Sequence, residues 1–134
     1  EIYTLSLHDA LPISTSTACN YYHQDKQAKF AYLQQLTKQL TKGLSQIKGI
    51  NILGNGMHGH LVSFTYQPYN YRDVIAYLAA NHLCARAGTH CAQLLHHYLK
   101  IDGSIRLSLA IYNTEAEVAK VLSILENLPR TLRA

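Results

Sequence analysis

Hydrophobic positions along the chain switch between two periods, and the switches mark out its elements. From Tyr22 to Ile47 the residues Leu33, Leu36, Leu40, Leu44 and Ile47 recur every three or four positions, with Gln, Lys and Thr between them. That spacing predicts an amphipathic helix. Gly43 weakens it by about 1 kcal/mol relative to alanine, and Lys48-Gly49 supplies a basic last turn and a C-cap. INIL, 50–53, is a short strand, and GNGMHG, 54–59, a glycine-rich turn. HLVSFTY, 60–66, alternates, with Val62, Phe64 and Tyr66 on one side and Leu61, Ser63 and Thr65 on the other.

The next helix starts near Asn70, whose side chain is placed to cap the amide of Asp73, and Val74, Ile75 and Leu78 form its buried side. LCAR, 83–86, has the composition of a brief apolar strand holding Cys84 as a structural residue. Thr89 is a candidate N-cap for a helix in HCAQLLHHYL, which sets Cys91 at the second helical position. SIRLSLAIY, 104–112, alternates through Ile105, Leu107, Leu109 and Ile111, with Arg106, Ser108, Ala110 and Tyr112 opposite. In the last segment Thr114 and Glu117 form a capping box, Val118, Val121, Leu122 and Leu125 a core stripe, and Pro129 the end.

Helices and strands therefore interleave. The expected fold is a two-layer α/β domain, α+β-like, with helices on one face of a small, largely antiparallel sheet. Its other face carries Arg106 and Ser108, and the apolar Ala110 and Tyr112 beside them suggest that another domain covers it. Residues 1–20, EIYTLSLHDALPISTSTACN, have no lasting period and end in a polar run. They read as an unstructured or non-native leader, which leaves 21–134 as the domain.

Composition narrows the functional classes. The net charge of +4 comes from basic residues scattered along the chain, so no phosphate-tracking stripe marks a nucleic-acid binder. No apolar run reaches the length of a membrane span. Three cysteines fit no paired framework, and a reducing, cytoplasmic setting is the simpler expectation.

Candidate chemistry concentrates in ARAGTHCAQ. At a helix start, unpaired amides favour the thiolate of Cys91, and Arg86, His90 and Arg106 add positive charge, while Gly88 permits a tight turn. The alternative is a small apolar filler. Arg106, inside an alternating strand, either snorkels to solvent or holds a carboxylate with its guanidinium fork. A metal centre is not expected: His96 and His97 point about 100° apart on a helix, and no second cysteine or carboxylate stands at ligand spacing. GNGMHG lacks the lysine and hydroxyl residue of a phosphate loop.

RAGTHCAQ at 86–93, followed by SIRLSLAIYNTEAEV at 104–118, resembles the C-terminal small domain of pyridoxal-phosphate-dependent cysteine desulfurases and selenocysteine lyases. These are fold-type I enzymes of the class-V aminotransferase group. The resemblance implies pyridoxal 5'-phosphate as electron sink, L-cysteine or L-selenocysteine as substrate, and a homodimeric parent. It also implies Cys91 as the nucleophile that takes up sulfur as a persulfide, with alanine as the other product. Arg106 would hold the substrate carboxylate, Arg86 would lie near it, and His90, Gly88 and Thr89 would support the loop. A sulfur-acceptor protein, serving iron–sulfur cluster or related chemistry, would be the partner.

The Ser-x-His-Lys stretch that carries the cofactor lysine is absent, and Lys48 and Lys100 do not replace it. Leu94 stands for the usual proline, RLS for RAS, and PYNYRD occupies the region of an HP pair. The chain alone is therefore expected to be inactive. Two alternatives differ in kind: a selenocysteine-directed or transaminase-like relative, and a stand-alone thiol relay or interaction module.

Overall fold

The computed structural model describes residues 2–54 and 59–131, with side chains from 13 to 54 and from 59 to 128. The chain forms two units, Glu1–Ala31 and Tyr32–Ala134.

The first unit is helical. Helix α1 spans Ile2–His23, which includes most of the segment 1–20 read above as an unstructured or non-native leader. Helical hydrogen bonds are local and need no apolar stripe, and residues 13–28 are exposed at every position, so the missing period reflects a missing buried side. Lys29 lies over the Tyr21 ring, 4.0 Å from its centroid. The single helix expected from Tyr22 to Ile47 is broken at Asp25, whose φ of 52° is left-handed, and α2 runs over Lys26–Gln46.

In the second unit four strands form one antiparallel sheet, β1 Ile50–Leu53, β2 Leu61–Tyr66, β3 Arg86–Gly88 and β4 Ser104–Ser108, in the order β1-β2-β4-β3. The alternation in β2 holds: Val62, Phe64 and Tyr66 are buried, facing Ile105 and Leu107 of β4 in one core. Three helices complete that core. Leu36, Leu40 and Leu44 come from α2, Val74 and Leu78 from α3 (Tyr71–Ala80), and Val118, Leu125 and Leu128 from α5 (Glu115–Thr131). Gly43 proves to be a contact point, since a Cβ there would stand 2.2 Å from Leu122 Cδ1. The GNGMHG turn lies largely outside the described residues, although Gly54 has φ 107°.

Several boundaries move, each for a local reason. Asn70 caps α3 by accepting from the amide of Arg72 at 2.9 Å rather than that of Asp73. Helix α3 ends on His82 (φ 59°) with the amide of Leu83 donating to Leu78, a Schellman-type close that consumes the first residue of the expected strand. The strand therefore starts at Arg86, and Cys84 is exposed where an apolar strand would have buried it. Strand β4 stops at Ser108 because the Asn113 side chain accepts from the amide of Ala110 at 2.8 Å and turns the chain away. Ala110 and Tyr112 are thus not on the open sheet face.

Helix α5 is capped as expected, with Glu117 N–H donating to Thr114 Oγ1 and Thr114 N–H to Glu117 Oε2. It continues through Pro129 instead of ending there. Proline has no N–H for the carbonyl of Leu125, and the buried Tyr66 hydroxyl supplies the missing donor at 3.1 Å.

Candidate active-site face

The side of the sheet away from the helix core carries Ser63 on β2, Arg106 on β4 and Arg86 on β3 in one row, paired as Ser63↔Arg106 and Arg86↔Arg106. The two arginines are therefore direct neighbours across an antiparallel pair. Arg106 is half-buried, and its Nε is buried with no hydrogen-bond partner among the described residues. Like charges opposite one another destabilise a sheet, and a buried unpaired donor adds to that cost. An anion held between the guanidinium groups would relieve both.

Gly88 pairs with Ser104 at the end of the same ladder. Its φ is 119°, and among the described residues no neighbouring atom lies within 4 Å of the point where a Cβ would stand. Its glycine answers to conformation, not to space. Beyond it the loop turns sharply. His90 (φ 50°) and Cys91 (φ 60°) are both left-handed, and the amide of Ala92 donates to Thr89 O at 2.8 Å. Consecutive left-handed residues with side chains cannot continue a right-handed helix. Helix α4 accordingly begins at Gln93 and covers only Gln93–Tyr98, with Ala92 as N-cap. Thr89 is not its cap and Cys91 is not within it, so the helix-start argument for a thiolate does not apply. Cys91 is instead exposed at the apex of a turn.

His90 and His96 tie this turn to β4. His90 Nε2 donates to the Ser104 carbonyl at 3.2 Å. Burial lowers the His90 pKa, the Ser104 contact opposes this, and the charges of Arg106, His96 and Arg86 lower it further. Both guanidinium groups are thus felt at the residue preceding the thiol. His96 is buried, donates from Nδ1 to Ala92 O at 2.9 Å and meets Ser104 Oγ with Nε2 at 3.0 Å. Neither His96 nor Ser104 stood out as a site residue in the sequence. Their signal was a polar residue at a helix position and another at a strand position, each buried against the other, which periodicity cannot distinguish from surface.

No group of three or more His, Cys, Asp and Glu residues among the described residues is arranged to hold a metal ion. Nor do they fit a phosphate-bearing aldehyde cofactor bound through lysine. Lys26, Lys29, Lys38 and Lys42 lie on α2 and Lys120 on α5, while Lys48 and Lys100 follow the ends of α2 and α4. None is on the row that carries the arginines. Among the described residues no helix is long and apolar enough to cross a membrane.

Comparison with known proteins identifies the family and the related fold. The model of the family Aminotransferase class-V matches residues 10–121, and the chain belongs to that family. A probable cysteine desulfurase of Vibrio cholerae is 30% identical over 112 residues, 83% of this chain and 28% of the relative. One from Pyrococcus abyssi is 34% identical over 105 residues, 75% of this chain and 26% of the relative. The apo structure of a cysteine desulfurase from Thermococcus onnurineus superposes with a TM-score of 0.77 at 28% identity, covering 84% of this chain and 29% of the other. The fold is thus related to that of fold-type I pyridoxal-phosphate enzymes, and the chain spans a little over a quarter of the relatives it matches.

Proposed function

We propose that this chain is the C-terminal small domain of a pyridoxal-phosphate-dependent cysteine desulfurase, supplying the thiol and the carboxylate clamp of its active site. The observation that carries the proposal is Arg106, directly opposite Arg86 on the open sheet face with an unpaired buried Nε. That pair is a receptor for a carboxylate, and a loop tied to the same strand presents an exposed thiol. In this reading Arg106 grips the carboxylate of L-cysteine and Arg86 adds the second positive charge. The Cys91 thiolate then attacks the substrate sulfur. A sulfur–sulfur bond forms as the carbon–sulfur bond breaks; the electron pair of the latter stays with the carbon skeleton, which leaves as alanine. The persulfide on Cys91 passes to an acceptor protein. The cofactor and its lysine belong to the remainder of the parent, so no step of cofactor chemistry is assigned to residues here.

In the parent enzyme, Cys91→Ser is expected to abolish persulfide formation while leaving the bound cofactor's visible spectrum in place. Unchanged turnover of cysteine would remove Cys91 from the role. The 134-residue chain alone, mixed with pyridoxal phosphate, is expected to give no stoichiometric lysine-linked absorbance. Parallel assays of the parent with cysteine and selenocysteine distinguish a desulfurase from a selenocysteine lyase.

A further inference from the structure

Cys91 occupies a left-handed backbone conformation, φ 60°, that its own side chain disfavours. His90 shares that conformation. Something outside the turn must hold it. Both flanks of the thiol are bonded to one residue of the sheet: His90, before it, to the Ser104 carbonyl, and Ala92, after it, through the His96 ring to the Ser104 hydroxyl. A carbonyl only accepts, so His96 donates from Nδ1 to Ala92 O, and its Nε2 meets the Ser104 hydroxyl. Ser104 stands two residues before Arg106 on β4 and opposite Gly88. The rings of His90 and His96 lie 6.2 Å apart.

We infer that His96 and Ser104 are positioning residues: together they clasp the Cys91 turn to β4 and so set the thiol within the field of the Arg86–Arg106 pair. The inference rests on the function proposed above, because it assigns these residues a purpose only if thiol and arginines act on one substrate. The clasp also accounts for a buried histidine in a helix of six residues, Gln93–Tyr98, that leaves Leu94, Leu95 and Tyr98 exposed.

Alkylation of Cys91 in the full chain carrying Cys19→Ser and Cys84→Ser tests this. Iodoacetate bears a carboxylate and iodoacetamide does not, and in both the sulfur–carbon bond forms as iodide departs with the carbon–iodine pair. The rate ratio of iodoacetate to iodoacetamide in the native chain, divided by the same ratio in urea, is expected to be about fivefold and to shrink with added salt. His96→Leu and Ser104→Ala should each bring it to about one with native circular dichroism, and Ser104→Thr, which keeps the hydroxyl, should restore it. Should His96→Leu fail to fold, the Ser104→Ala and Ser104→Thr pair decides. Well-folded variants that keep the parental ratio overturn the clasp alone. A native ratio of one in the parental chain overturns the shared site, and the function proposed for it.

Discussion

Arg86 and Arg106 set two permanent charges side by side on adjacent strands, an arrangement that no packing argument favours. Their effect reaches His90, whose pKa is lowered chiefly by burial and further by both guanidinium charges. Its ring-proton resonances should titrate below the usual histidine midpoint of about 6.5, and Arg106→Gln should move the midpoint upward. With its native pKa depressed, His90 contributes fully above the unfolded value, and the contribution is lost as pH falls through the native one, because the unfolded chain takes up the proton first. A midpoint unaffected by Arg106→Gln would separate the arginine from the loop. At this scale the sequence was half legible. Alternation alone turned Arg106 away from Ile105 and Leu107. The left-handed backbone at His90, Cys91, His82 and Lys100 was not legible, because none of these is the glycine or asparagine that marks such positions.

Among the elements, α5 shows how a strand side chain can complete a helix. Tyr66 of β2 donates to the Leu125 carbonyl that Pro129 leaves without an amide partner. Tyr66→Phe should cost about 1–3 kcal/mol, the range for stranding a buried acceptor, read as a lower urea midpoint at constant m-value. An unchanged midpoint would mean that water serves the carbonyl instead. The periods of β2, α2 and α5 were plain in the sequence, since each presents a continuous apolar side to one core. Element ends were the weak point. β3 pairs over only three residues, Arg86–Gly88, too few to show a period, and its register decides that Arg86 meets Arg106.

The unit Tyr32–Ala134 is asymmetric: side chains from α2, α3 and α5 pack on one side of its sheet, and the arginine row lies on the other. Strands β2 and β4 are central and β1 and β3 are edges. Backbone amides bonded within Leu61–Tyr66 and Ser104–Ser108 should therefore exchange about tenfold or more slowly than those of Arg86–Gly88, measured residue by residue by hydrogen exchange. Rapid exchange through β4 would show that pairing and core do not hold the sheet by themselves. Interleaved helices and strands made the fold class legible.

Gly88 combines a φ of 119° with empty space where a side chain would begin. The position therefore discriminates by handedness and tolerates bulk. An alanine there would find room among the described residues and still strain the backbone. Rigidity in the approach to the thiol is therefore limited by conformation, since a side chain that narrowed the freedom of the backbone would also oppose its native angle.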